Sequence, residues 1–233
     1  MIKFTAQIAG TAYGIQANFP STKTYCKDFL TDLTEDCGIS VSLEDMAVER
    51  HNADHACPDA YLETVALLRK IAECAPVFDS LLVHGSAISV EGKAYLFTAP
   101  SGTGKSTHAA LWRQLLGDRA VMINDDKPFI FKKNGVLYIA GSPWNGKHNL
   151  GNPISAPLAG ICFLSQSPVN KIEKLSVPDA MPKLMCQCYM PKNAESAMKT
   201  LSMIDDLLNT VPFYRLECNI SQAAAELSYN TMK

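Results

Sequence analysis

Residues 99 to 106 read Ala-Pro-Ser-Gly-Thr-Gly-Lys-Ser. They follow the apolar run Ala94-Tyr95-Leu96-Phe97-Thr98 and precede a helical stretch, Thr107 to Leu116, closed by Gly117. A glycine loop between a buried strand and a helix is the setting a Walker A loop requires, and it points to an α/β fold. Glycines let the backbone wrap closely around phosphate oxygens with its N–H groups turned inward. The helix adds the positive end of its dipole. Lys105 supplies a mobile cation for β- and γ-phosphates, and the Ser106 hydroxyl is placed to ligate Mg²⁺. Ser101, Gly102, Thr103, Gly104, Lys105, Ser106 and Thr107 are therefore the candidate ATP-binding residues. The pattern is relaxed at its first position, where Ala99 replaces the usual glycine.

Around this loop the chain alternates short strands and helices. Residues 2 to 19 read as a strand pair broken at Gly10 and Gly14, and Gly38 to Val48 holds another short strand. Tyr61, Val65, Leu68 and Ala72 recur at helical spacing, with Pro58 at the start and Pro76 beyond the end. Leu81 to Val90 reads as one strand, turned at Glu91-Gly92-Lys93 into the strand that delivers the loop. Val121 to Ile123 is a short buried strand, and Lys133-Asn134-Gly135 a hairpin turn. Later come strands at Leu158 to Leu164, Ile172 to Leu175 and Phe213 to Leu216. Helices are expected at Asp179 to Tyr189, Ala194 to Leu208 and Ser221 to Tyr229. No linker or repeat divides the chain. Residues 1–80 form a strand-rich region with one helix, a candidate subdomain, and 81–233 a P-loop core.

A P-loop alone gives nucleotide binding, not a reaction. Asn124-Asp125-Asp126 ends the strand Val121 to Ile123, one helix beyond the loop. Two acids at a strand end are otherwise a turn. In a parallel α/β unit, however, this strand would lie beside the loop strand with its acidic end near the phosphates. One carboxylate could then hold Mg²⁺ and the other accept a hydroxyl proton. His84 lies on the strand paired with the loop strand. It is a core histidine or a site residue. Ser142 to Asn149 carries Pro143-Trp144, Gly146 and Lys147, and suits either a phosphate or substrate clamp or a surface loop around one buried Trp. No Arg lies at the start of the loop helix or in the acidic strand, so Lys147 is the expected second cation. Trp112 fits the core or a base-stacking role. His51 to Cys57 reads as a polar loop rather than a metal site.

The order His84-Gly85, strand, Ser101 to Ser106, then Asp125-Asp126 resembles the HPr kinase/phosphorylase family and its relatives on the phosphoenolpyruvate-carboxykinase-like P-loop fold. The resemblance covers about residues 81 to 131. In most other P-loop kinases and NTPases the acidic strand comes much later. The resemblance implies a mixed sheet with flanking helices, and Mg²⁺-dependent transfer of the γ-phosphoryl group of ATP to a serine-like hydroxyl on a peptide, protein or small molecule. It implies Asp126 as catalytic base, Asp125 as metal ligand with Ser106, and His84 near the transferring phosphate. The Gly/Arg-rich signature linked to phosphorolysis and HPr docking has no counterpart, since Ser142 to Leu158 takes its place. The alternative from another class is a nucleotide-binding regulatory or accessory protein without kinase activity.

Charge and composition narrow the partners. The 21 Lys and Arg against 23 Asp and Glu leave a formal charge of −2, so the footprint of a nucleic-acid binder is lacking. No apolar run approaches the length of a membrane span, and the first residues are too broken for a secretory signal. Eight cysteines with no Cys-x-x-Cys pair read as reduced, mostly buried thiols of a cytoplasmic protein. A homo-oligomer is compatible with this reading.

Overall fold

The structure is a computed structural model describing residues 1–233. Ile2–Ile8 (β1) and Thr11–Ala17 (β2) form an antiparallel pair, turned at Ala9-Gly10 where both residues have positive φ. Cys37–Ser40 (β3) joins β2 in parallel, completing a three-stranded sheet. Between them lies the short helix Pro20–Tyr25 (α1). The short strand expected within Gly38 to Val48 is β3, and the chain turns helical after it, at Leu43–Asn52 (α2). Ser42 caps it by accepting the Asp45 amide while the Asp45 carboxylate accepts the Ser42 N–H. Only Met46 of this helix is buried, so its sequence carries little apolar periodicity.

Asp59–Cys74 (α3) packs its Leu62, Ala66, Leu67 and Ile71 on the small sheet. Glu63, on the same face, is fully buried. Its carboxylate accepts the amides of Asn18 and Phe19, the Asn18 side chain and the Thr22 hydroxyl. It thereby ties the chain entering α1 to α3. The core continues into Leu82, Phe129, Phe131 and Trp144, so the small sheet and the rest of the chain share one apolar cluster.

Nine strands form a mixed sheet, and seven of them run in one path. They are Ser80–Leu82 (β4), Ser86–Val90 (β5), Lys93–Thr98 (β6), Ala120–Asn124 (β7), Phe129–Lys133 (β8), Val136–Ala140 (β9) and Ser155–Gln166 (β10), ordered β4-β8-β9-β10-β6-β5-β7. Lys171–Lys174 (β11) pairs with Phe213–Cys218 (β12), which runs parallel to β10. The single strand expected from Leu81 to Val90 is two strands. The chain leaves β4 at one edge, crosses at Val83-His84-Gly85, and re-enters as β5 with four strands between. The acidic strand β7 is likewise not the neighbour of β6. It pairs antiparallel with β5, which pairs antiparallel with β6, so β6 and β7 still point the same way.

Lys105–Leu116 (α4) and Gln222–Met232 (α7) cover one face of the sheet; Val177–Met185 (α5) and Ala194–Thr210 (α6) cover the other. Trp112 resolves as core. It is fully buried, donates its indole N–H to Ser228 Oγ (2.8 Å), and meets Tyr95, Phe97 and Tyr229. The cysteines are all free, as expected, but less buried than expected: only Cys26 and Cys162 are fully enclosed, and Cys186 is exposed. No helix is long and apolar enough to cross a membrane.

His108, beside Trp112, is also buried; it shares a 2.9 Å hydrogen bond with Ser228 Oγ and leaves Nδ1 without a partner. Burial pushes its pKa down to about 4 from an ordinary 6.5. Above pH 6.5 the ring is neutral in both folded and unfolded chains. Between 6.5 and 4 the unfolded chain takes up the proton and the folded one does not, so stability falls with pH. At pH 5 the loss from this group is on the order of 2 kcal/mol. Urea unfolding at pH 7 and pH 5 should therefore show a smaller acid loss in His108→Gln than in the wild type. Equal losses would remove His108 as the cause.

Candidate functional site

The loop between β6 and α4 takes its shape from two glycines. Gly102 has φ of 78° and Gly104 of 116°, a region that suits glycine, and the space where either Cβ would stand is open. The Lys105 side chain folds under the loop. It is 8% exposed, and its Nζ donates to the carbonyls of Ala99 (2.9 Å) and Pro100 (3.2 Å). Ser101, Gly102 and Thr107 are exposed, while Thr103, Gly104 and Ser106 are half-buried. On the outer side, a cavity of about 540 Å³ runs from Gly102 to Thr107 along α4 to Leu164, Gln166 and Ile220.

The crossover from β4 to β5 brings His84 to this loop. A Cβ at Gly85 would stand 2.6 Å from Leu96 Cδ1 and 2.7 Å from the Phe97 carbonyl, so only glycine lets the chain pass over β6 here. Thr98 Oγ1 donates to the His84 carbonyl (2.7 Å), and the Gly85 amide donates to the Asp126 carbonyl (3.0 Å). These bonds tie the end of β6 to the crossover and the crossover to the acidic turn.

Asp125 and Asp126 follow β7 and differ in environment. Asp125 is 6% exposed and accepts the Ser86 hydroxyl on Oδ1 (2.6 Å). Asp126 is more open. Its Oδ1 lies 3.6 Å from His84 Nε2 and 3.4 Å from Lys127 Nζ. Burial, then Lys127 and Lys105, push the His84 pKa down to about 4, with Asp126 opposing. The imidazole is therefore neutral near pH 7, and its approach to Asp126 is not an ion pair. Lys105 is lowered mainly by burial; Asp126 opposes, Lys127 adds to the lowering, and Asp125 opposes. The five groups thus sense one another around the start of α4.

Asn124 holds the acidic turn. It is fully buried, and its Oδ1 accepts the amides of Asp126 and Lys127, both at 2.8 Å. Its Nδ2 donates to Asn145 Oδ1 (2.7 Å) and to the Ser142 carbonyl (3.1 Å). The loop after β9 is thereby tied to the acids. Trp144 anchors it from the other side, with its indole N–H donating to the Thr64 carbonyl on α3 (3.0 Å). A Cβ on Gly146 would lie 3.3 Å from both the Asp125 carbonyl and Asp126 Cβ. Lys147, the next residue, is exposed and makes no ion pair. The cation beside Asp126 is instead Lys127.

The family model for SynChlorMet cassette protein ScmC matches residues 54–226, well over half of the chain. The chain belongs to that family. The match takes in the loop, the crossover at His84, the acidic turn and the Trp144 loop. No curated protein matches the ScmC-family chain in sequence. Among solved structures, the Hpr(Ser) kinase/phosphatase from Coxiella burnetii is similar with a TM-score of 0.35 at 13% identity, over 64% of this chain and 86% of that one.

Three further residues shape the site of this ScmC-family chain without standing out in its sequence. Lys127 is one residue beyond the acids, where a lysine reads as an ordinary turn residue. Asn124 had a signal, since an Asn before a turn commonly accepts amides two and three residues on. Gln187 is distant in sequence; its carbonyl accepts the His84 amide (2.8 Å), and its side-chain amide lies 3.2 Å from Thr98 Oγ1.

Proposed function

We propose that the chain is an ATP- and Mg²⁺-dependent kinase that phosphorylates a serine-like hydroxyl, on the phosphoenolpyruvate-carboxykinase-like P-loop fold. The observation that carries this reading is the convergence of Lys105, His84, Asp125, Asp126 and Lys127 where β6 and β7 end. The residues fit the ligands. The only partners of the buried Lys105 ammonium are two loop carbonyls, and phosphate oxygens could take their place. Ser101 to Thr107 would hold the phosphates, and the cavity toward Leu164 and Ile220 would take the nucleoside. Ser106 and the Asp125 carboxylate would hold Mg²⁺, which when bound neutralises charge on the β- and γ-phosphates.

Both contacts of Asp126 fall on Oδ1, leaving Oδ2 for the acceptor. The acceptor oxygen attacks the γ-phosphorus, the bond from that phosphorus to the β-bridging oxygen breaks, and ADP leaves. The hydroxyl proton passes to Asp126 Oδ2. Lys105 and Lys127 offset the charge that builds on the transferring group, and neutral His84 lines its approach. We assign Lys147 a supporting role at the γ-phosphate or acceptor, because Gly146 brings its backbone against the acidic turn. Lys147→Ala should lower turnover more than ATP affinity; equal changes in both would withdraw that role. The three-stranded sheet supports reading 1–80 as a subdomain, joined to 81–233 through the shared core. The free thiols support a cytoplasmic setting.

Radiolabelled ATP incubated with the protein and fractions of cellular peptides and metabolites tests the reading. Label should move to a hydroxyl compound. ATP binding with no transfer to any fraction would instead favour a nucleotide-binding regulator. Lys105→Ala should weaken ATP binding at least tenfold, about 1.4 kcal/mol, in calorimetry. Unchanged affinity in a folded variant would end the assignment of the loop.

A further inference from the structure

A second cavity lies between α3, the end of β4 and Lys127 of the acidic turn, and no residue of the glycine loop lines it. Its volume is about 340 Å³, at the small end of ligand pockets. His84 and Lys127 line it, and both also stand against Asp126 Oδ1. The rest of the wall is mainly apolar: Val65 and Leu68 from α3, Leu82 and Val83 from β4 and the crossover, and Cys188 and Tyr189. The last two are held there because the Tyr189 amide donates to the Leu82 carbonyl, pairing that segment with the end of β4.

The charges around this cavity are already matched. Arg69 Nε binds Glu49 (2.5 Å), and its guanidinium also reaches Asp45 (3.3 Å). Lys127 is paired with Asp126, and His84 is neutral near pH 7. A charged occupant would be desolvated among groups that have no free counter-charge for it. An aliphatic or aromatic group would lose only its contact with water.

We infer that this cavity is the acceptor subsite, and that the acceptor is a hydroxyl compound carrying an uncharged apolar group about the size of one or two aliphatic side chains. The inference rests on the kinase reading for the word acceptor, but the cavity and its selectivity are tested separately. The hydroxyl sits at the mouth, where Asp126 Oδ2 can take its proton, and the apolar group lies between α3 and β4. Specificity for the acceptor is then supplied largely by α3, from the region outside the P-loop core.

The test uses the full chain and four probes: N-acetyl-serinamide, N-acetyl-seryl-leucinamide, N-acetyl-seryl-glutamic acid α-amide, whose side-chain carboxylate is free, and 4-methylpentan-1-ol. Methyl ¹³C NMR follows Val65, Leu68 and Leu82, and labelled ATP follows transfer. The leucine peptide should shift these methyls saturably and be phosphorylated with a kcat/KM at least about tenfold above that of N-acetyl-serinamide. The glutamate peptide should gain nothing. Val65→Phe, which fills the cavity, should bring the leucine preference to about one while leaving ATP affinity unchanged. A gain shared by 4-methylpentan-1-ol assigns the subsite to the apolar group alone, and a gain confined to the peptide assigns it to a peptide-borne hydroxyl; both uphold the inference. Saturable methyl shifts without transfer to any probe uphold the cavity and count against the kinase reading. Transfer that ignores the neighbouring group, or methyls that stay unmoved, overturns the inference whatever the fate of the kinase reading.

Discussion

Asp126→Asn should lower phosphoryl transfer by about 10²-fold or more while leaving ATP affinity within about twofold. The variant keeps the side-chain shape and can still meet Lys127 and His84 through its amide oxygen. What it loses is an oxygen able to take up the acceptor proton as the new bond forms. A base acts in the transition state and contributes little to holding ATP, so the loss falls on turnover. Single-turnover transfer and calorimetry on the same preparation separate the two. If Asp125→Asn abolishes transfer while Asp126→Asn spares it, the two carboxylates exchange roles. If neither changes the rate, the kinase reading fails.

The second large effect lies outside the site. Glu63→Ala should cost about 3–5 kcal/mol of folding stability. The residue is fully buried and its carboxylate serves four donors, two of them backbone amides at the entry to α1. Removing it leaves those donors enclosed with nothing to accept them, and opens a gap between α3 and the small sheet. The exposed pair of Arg119 with Glu91 is the natural control: its loss should change stability by no more than about 1 kcal/mol. Urea denaturation distinguishes them. A Glu63→Ala loss as small as that of Glu91→Ala would show that water reaches the stranded donors.

Local signals made several elements legible. The Glu91-Gly92 and Asn134-Gly135 turns hold positive φ at both residues, as hairpins of this length require, and their sequences announce it. Helical spacing marked α3, but the stripe read from it is largely not the buried face: Tyr61 is exposed and Val65 and Leu68 are half-buried, whereas Leu62, Ala66, Leu67 and Ile71 are enclosed with Ala72. The strand–loop–helix setting of Lys105 was equally plain. Illegible were features that depend on pairing across the chain. Nothing in Leu81 to Val90 shows that the run is cut at His84, because both halves are apolar and the reason for the cut is Gly85 crossing β6. α2 is not readable because it buries one residue and its order comes from a cap. Of the site, the order of His84, Lys105 and the two acids was readable, whereas Lys127 needed the turn geometry and Gln187 a contact across about a hundred residues.

The position of β10 also bears on how the chain reaches its folded state. Without it, the strand pairings divide into two separate ladders, β4-β8-β9 and β6-β5-β7, each built around a hairpin. β10 joins them, pairing antiparallel with β9 through its first residues and parallel with β6 further along. Its partners on β6 lie some sixty residues earlier, so a long loop must be ordered before these contacts form. Sheets completed by such non-local parallel pairing fold slowly, on the millisecond-to-second scale, compared with helical bundles. During that interval the facing edges of β6 and β9 have no partner. On the ribosome they stay open until residues 155–166 have emerged, which makes a half-made chain more prone to association than the finished one.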